Sequence, residues 1–470
     1  MKMIIGGEWV ETNESIEVIN PFDGSVIDTV PSADASNVES ALQRAVVGAK
    51  EMSKLSARER SEILARAADL LQDRLDEFAV TIAKEVGKTI KEARTEVTRA
   101  CLTIRTASEE AKRIHGETVP FDGMAGAESK FGFYIRVPVG VVLAITPFNV
   151  PLNLACHKVA PAIAAGNAVI LKPATATPLA DIMLGKLLLD AGLPPNAISV
   201  ITGRGPSIGN LLVSDSRVRL ISFTGSPEVG EAITRIAGLK KIAMELGSNS
   251  CAIVMDDADL DEAARRVRIG GYAVAGQVCI SVQRVIVQEK VYDVFLEKLV
   301  PLVAGIRVGN QLDSETDMGP MIDEKAALRV ESWIEEAIAG GAKSLLPIKR
   351  DGAILFPTVL TDVTLDMKVW SEEVFGPLVA VVKCRDFDHA IELANTSKYG
   401  LQAGIFTRNL EFALRAAREI EVGGVIINDV PTFRIDPMPY GGVKLSGFGR
   451  EGPKYAIEEM TELKLVAFQM

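Results

Sequence analysis

Histidine is scarce in this chain: three residues among 470, His115, His157 and His389, far apart in the sequence. Cysteine is nearly as sparse. Cys101, Cys156, Cys251, Cys279 and Cys384 are scattered, odd in number and without a CxxC pair. That pattern offers neither a structural zinc site nor a disulfide framework, so no metal is expected and a reducing compartment fits. Long apolar runs are missing: residues 137–145 are only strand-sized and interrupted by proline and glycine, too short to cross a membrane. The opening MKMIIGGEWVETNESIEVINP lacks the apolar centre of a secretory signal, and a cytoplasmic location is expected. A basic excess is missing too. The net charge of −11 argues against a nucleic-acid footprint, though it leaves room for a local basic pocket that takes a small anion.

What is present suits a soluble enzyme. The chain is 48% hydrophobic and 24% charged, and 470 residues exceed one simple core, so two lobes are expected. Residues 33–54, 58–90 and 92–115 carry helical periodicity, and 130–136 alternates like a hairpin strand. From residue 139 short apolar strands (139–146, 168–172, 198–202, 220–223) alternate with helices (153–165, 179–191, 206–214). A second alternating stretch spans about 250–427, with strands at 251–255, 281–287 and 378–384. This predicts an α/β protein with parallel sheets covered on both faces, which bind ligands outside the carboxyl ends of their strands. Residues 461–468 alternate again; a lone terminal strand needs a partner, and another subunit is the expected one.

Several residues admit two readings. Cys279, in AGQVCISVQRVIV before an apolar strand, is either a nucleophile or a buried structural thiol. Glu245, in MELGSNS, is a fixed general base or a surface turn glutamate. Asn149, in TPFNVP, donates to a developing oxyanion or caps a helix. FTGSPEVG at 223–230 is a strand, a tight turn and a helix start, where free N–H groups attract phosphate. Lys172, in ILKPA, holds a ribose or phosphate, or is simply solvated.

Taken in order, TPFN, LKPA, FTGS, ELGS, GQVC, EEVFGP and PYGGVKLSG resemble the aldehyde dehydrogenase superfamily along nearly the whole chain. The resemblance implies a Rossmann-type parallel-sheet cofactor lobe (1–116 and 139–247), an α/β catalytic lobe (248–445) and oligomerisation segments (117–138 and 446–470), with a homodimer or homotetramer. It implies NAD or NADP as cofactor. Carried over by motif, Cys279 is the nucleophile, Glu245 the general base, Asn149 the oxyanion donor beside the Cys279 N–H, and Glu451 a second acid that relays protons. The implied cofactor positions are Ile145, Thr146, Pro147, Phe148, Lys172, Thr175 and Gly205 on one side of the site. On the other they are Phe223, Gly225, Ser226, Leu246, Gly247, Glu373 and Phe375, with Glu373 on the nicotinamide-side ribose. Thr175 replaces the glutamate that many NAD-preferring members carry three residues after the lysine, so a 2′-phosphate is not repelled. The implied product is a free acid, because coenzyme-A acylating relatives commonly lack the base.

The substrate positions also depart from the commoner pattern. His157 stands where members acting on apolar aldehydes often have an aromatic residue, and Arg105 and Arg434 map to the same entrance. Three basic-capable groups suggest a small anionic aldehyde. The pattern is similar to the branch containing phosphonoacetaldehyde, sulfolactaldehyde and lactaldehyde dehydrogenases. Succinate semialdehyde and glyceraldehyde 3-phosphate dehydrogenases are alternatives, and a coenzyme-A acylating or non-catalytic member is a further one. The bland reading makes Arg105 a solvated helix residue, His157 a hydrogen-bonded core histidine and Arg434 half of a loop ion pair.

Overall fold

Short apolar runs bounded by glycine or proline become strands, and the computed structural model, which describes residues 1–470, gathers most of them into two large sheets. In the first sheet Val141–Ile145 is flanked by Ala168–Lys172 and Val218–Thr224, then by Ile198–Val200 and Lys241–Glu245, all five parallel. The hairpin Met3–Ile5 and Glu8–Val10 adds antiparallel at one edge, and Gly447–Phe448 adds antiparallel at the other. The three central strands are buried along almost their whole length, as parallel strands covered on both faces must be. A core of 51 residues lies on one face and one of 22 on the other, so this sheet is a filled middle layer.

The second sheet is served by its own core of 49 residues, large enough to make a separate lobe. Its strands run Thr358–Thr361, Leu378–Cys384, Arg284–Gln288, Cys251–Val254, Gln402–Phe406 and Gly424–Ile427, all parallel, with Lys343–Ser344 antiparallel at one end.

Two helices set up the site. Pro151–Ala164 starts with proline at its first turn, where no N–H is needed, and every residue in it is buried. A helix apolar all round belongs inside, and this one carries His157 and Lys158 inward. Ile90–Ala111 begins with a capping box between Thr89 and Glu92. The other Glu92 oxygen accepts the Val274 N–H at 2.7 Å, which ties this helix to the loop before Cys279.

Some expectations change. The helix expected over 58–90 is two, Ala57–Asp73 and Leu75–Val86, because Arg74 leaves helical geometry (φ −105°, ψ 20°) and its guanidinium turns onto Glu77. Residues 281–283 are not strand: the Ser281 N–H closes a turn onto Val278 and the Val282 N–H reaches back to the Gly270 carbonyl instead of joining the ladder. Residues 205–209 form a wide turn before the short helix Asn210–Ser214. The terminal strand needs no second subunit to be paired. Thr461–Gln469 runs antiparallel to Lys130–Pro138 of the same chain over nine positions, and Glu117–Val119 completes that small sheet. No helix is long and apolar enough to cross a membrane.

Candidate active site

A cleft of about 790 Å³ opens outside the carboxyl ends of the first sheet. Thr146, Pro147, Phe148 and Asn149 line it after the central strand, Phe223, Gly225 and Ser226 at the next, and Leu246 and Gly247 beyond Glu245. Cys279, Glu373 and Phe375 form the opposite wall. Phe148 and Phe375 meet edge to face across it, ring centres 5.8 Å apart. The first turn of helix Pro227–Ile236, capped by Ser226, faces this space. Ile145 is sealed in the core at the strand end just behind. Lys172, Thr175 and Gly205 do not line this space. Thr175 borders a neighbouring hollow with residues 16–24, and Gly205 opens the exposed turn. The buried Lys172 ammonium donates only to the Pro173 carbonyl, at 3.0 Å, and burial pulls its pKa down to about 8.

Cys279 is the one thiol of the five that is not fully buried. Its loop is held in uncommon geometry: Val274, Ala275 and Gly276 all have φ between 51° and 71°. Gln277 braces it, its side chain accepting the Ile322 N–H at 3.0 Å and its carbonyl accepting the Asn149 amide at 2.8 Å. Asn149 and the Cys279 loop are thus joined across the cleft, and the Cys279 N–H has no acceptor within the protein. The Tyr440 hydroxyl lies 3.1 Å from the sulfur. Burial pushes the thiol up to about 12, with Glu245 and Glu373 adding to the rise, while the Tyr440 hydrogen bond and Arg434 oppose it.

Glu245 ends its strand buried, with one carboxyl oxygen lacking any partner. A methyl group at Gly441 would lie 2.9 Å from the other oxygen and 2.5 Å from the Gly449 carbonyl, so only glycine lets that loop close over the acid. Burial and the charge of Glu451 raise Glu245 well above the usual carboxylate range. Glu451 is the opposite case. Burial opposes its charge, but Lys158 at 2.9 Å and Arg434 at 2.9 Å hold it ionised and far below that range. The two acids are therefore pushed in opposite directions, Glu245 toward its neutral form and Glu451 toward its charged one, which is how a site separates two carboxyl roles.

The three basic positions do not share one fate. Arg434 is buried, its guanidinium 3.7 Å over the Tyr440 ring, with its Nη2 on Glu451 and its Nε without an acceptor. His157 is buried and its Nε2–H donates to the Asp436 carboxylate at 3.0 Å; burial first, then nearby Arg434, lower its pKa, so it contributes no cation at neutral pH. Arg105 is away from the site: it is half exposed and paired with Asp69 on the helix Ala57–Asp73. Arg99, one and two-thirds turns earlier on the same helix, is the arginine that reaches inward, to Asp436 at 2.9 Å.

Comparison with known proteins bears directly on this arrangement. A family model described as the aldehyde dehydrogenase family matches residues 9–466. The chain belongs to the aldehyde dehydrogenase family. It is an NAD(P)-dependent aldehyde dehydrogenase by that membership and by its named relatives. It is 50% identical over 470 residues to a 3-sulfolactaldehyde dehydrogenase of Priestia aryabhattai, covering 100% of this chain and 98% of the relative. Aldehyde dehydrogenase 21 of Physcomitrella patens, solved with its reaction product succinate, superposes with a TM-score of 0.97 at 40% identity, covering 100% and 98% of the two chains. The NADP-dependent glyceraldehyde-3-phosphate dehydrogenase of Bacillus halodurans, solved with NADP, gives 0.97 at 39% identity over 100% and 99%. In this dehydrogenase the motif reading missed Gln277, Lys158, Arg99, Asp436 and Tyr440. Gln277, in GQVC, and Tyr440, the aromatic of PYGGVKLSG, lay inside quoted motifs; Lys158, Arg99 and Asp436 did not.

Proposed function

We propose that this dehydrogenase oxidises a small anionic aldehyde, of the sulfolactaldehyde, phosphonoacetaldehyde or lactaldehyde type, to the carboxylate. The observation that carries the proposal is Arg434. It is a buried guanidinium with one donor on Glu451, another free, and a single tyrosine ring between it and the Cys279 sulfur. A buried donor without an acceptor is costly, and an anionic substrate tail would satisfy it. The 50% identical sulfolactaldehyde dehydrogenase supports the sulfonate form of this reading. The relatives acting on glyceraldehyde 3-phosphate or yielding succinate support phosphate- and carboxylate-tailed aldehydes as the second choice.

Cys279 adds as thiolate to the aldehyde carbonyl. The developing oxyanion takes the remaining Asn149 amide hydrogen and the free Cys279 N–H, donors of a kind worth about 3 kcal/mol each. NAD(P)+, when bound, supplies the hydride acceptor. The chain's own polar groups fit such a dinucleotide: the half-buried Glu373 carboxylate, raised to about 7 chiefly by burial, has only the Ser248 N–H as partner, and Lys172 has no counter-ion. A side chain at Gly247 would strike Glu373 at 2.4 Å, so glycine keeps this wall open. Either NAD or NADP is consistent with the neutral Thr175. Glu245, once ionised, takes a proton from the water that hydrolyses the Cys279 thioester. Localisation in the cytoplasm, the lobe and hairpin boundaries given above, and homo-oligomerisation are part of the same proposal.

Glu245→Gln is expected to give a burst of NAD(P)H of about one equivalent followed by a steady state slowed by about 10²–10⁴-fold, the worth of a positioned base. Rapid-mixing absorbance at 340 nm on the order of milliseconds reads both phases, and an unchanged steady state removes the base role. The substrate class is tested by kcat/KM for sulfolactaldehyde, phosphonoacetaldehyde, lactaldehyde, succinate semialdehyde and propanal with both cofactors. Arg434→Lys keeps a charge for Glu451 but loses the planar fork, so KM for the anionic aldehydes should rise about tenfold or more while propanal is little affected. Arg105→Leu should leave both unchanged, since an exposed pair contributes at most about 1 kcal/mol. Equal effects of Arg434→Lys on propanal and the anions would refute the anion site.

A further inference from the structure

The geometry points to Tyr440 as a further catalytic residue, whose hydroxyl donates a hydrogen bond to the Cys279 thiolate and sets how readily that sulfur ionises. The inference rests on the assignment of Cys279 as nucleophile. Four observations carry it. The hydroxyl sits 3.1 Å from the sulfur and has no other hydrogen-bond partner. Tyr440 is 2% exposed, so its O–H cannot turn to water instead. Its backbone is pinned to Glu451 by two hydrogen bonds, 3.1 Å from the Tyr440 N–H and 2.7 Å back from the Glu451 N–H. Finally, the Glu451 carboxylate holds Arg434, and the Arg434 guanidinium sits over the Tyr440 ring, 3.7 Å from its centre. The phenol is thus clamped front and back, and the sulfur is the one atom it serves.

The direction of the bond follows from ionisation. While the sulfur keeps its proton, either group can donate. A thiolate has none, so the contact survives ionisation only with the phenol as donor. Burial keeps Tyr440 protonated far above neutral pH, which secures that role. Tyr440 gives up no proton: Cys279–SH loses its hydrogen to water, and the O–H···S⁻ bond weights that equilibrium toward the thiolate. The charged groups facing the sulfur are Arg434, which favours the thiolate, and Glu245 and Glu373, which disfavour it when ionised. Guanidinium over the ring withdraws electron density from the phenol and strengthens its donation. Against a burial that pushes the thiol up to about 12, such a donor is needed for a useful fraction of nucleophile.

Iodoacetamide tests this on the full-length protein, because Cys279 is the only thiol not fully buried and Cys279→Ser gives the blank. A hydrogen bond to a charged acceptor corresponds to roughly 10- to 100-fold in the ionisation constant. Tyr440→Phe is therefore expected to slow alkylation at about pH 8 by about tenfold or more, and to slow the NAD(P)H burst in parallel, with cofactor affinity unchanged. Tyrosine analogues separate donation from packing. With 3-fluorotyrosine and 3,5-difluorotyrosine at position 440, the more acidic phenol should speed alkylation stepwise, a trend that a merely space-filling ring would not produce. The fluorinated forms also stand in should Tyr440→Phe fail to fold. An alkylation rate indifferent to both the phenylalanine and the fluorine series overturns the inference. The nucleophile assignment fails separately, through turnover retained in Cys279→Ser.

Discussion

Cys279→Ala should lower kcat by about 10⁴-fold or more while NAD(P)+ binding persists. The size follows from what the sulfur alone supplies. Asn149, the free Cys279 N–H and the cleft walls remain in the variant and still bind the carbonyl, but no covalent acyl intermediate can form. The groups proposed to hold the cofactor lie on other elements: Glu373 and Phe375 precede the strand Leu378–Cys384, and Ser226 caps the helix Pro227–Ile236. Removing one sulfur therefore leaves them in place. Single-turnover absorbance, with mass spectrometry of acid-quenched protein, reads the result. Turnover within tenfold of the parent, or an acyl adduct on another residue, would displace Cys279 from its role.

The candidate cluster was legible because each member sits in a short motif: Asn149 and Glu245 at the converging carboxyl ends of strands in the first sheet, Cys279 in the loop before Arg284–Gln288 of the second. Glu245 and Asn149 come together through the sheet, and Cys279 joins them through the Asn149 amide bound to the Gln277 carbonyl, although 130 residues separate Asn149 from Cys279 in sequence. What the motifs did not carry is who neutralises whom. Arg99 meets Asp436 across 337 residues and Lys158 meets Glu451 across 293, spans over which no local pattern operates. Arg105 illustrates the cost. It lies six residues beyond Arg99, about 240° further round the helix, so only one of the two can face inward. His157 is buried against Asp436 and does not line the cleft, and its charge depends on burial and on Asp436, neither visible locally. The anion reading consequently contracts from three basic groups to one, Arg434.

That same arginine makes Glu451→Gln the most informative change in the buried network. In the parent, one carboxylate compensates two buried cations, Lys158 and Arg434, whose side chains are 1% and 6% exposed. An amide keeps the shape and loses the charge, leaving both cations uncompensated in a dry setting. Breaking a buried ion pair from one side costs about 3–5 kcal/mol, so thermal unfolding should move down by several degrees. The effect on chemistry runs the other way. Glu245 is pushed toward its neutral form by burial and by the negative charge of Glu451. With that charge gone and Lys158 and Arg434 still beside it, Glu245 ionises more readily. A base whose pKa falls is available at lower pH, so the rising limb of kcat against pH should shift toward acid in Glu451→Gln. The limb should disappear in Glu245→Gln. Differential scanning calorimetry and a pH profile of the deacylation-limited rate separate the two consequences. A limb that stays put or moves toward alkaline pH would mean that Glu451 does not control the protonation of Glu245.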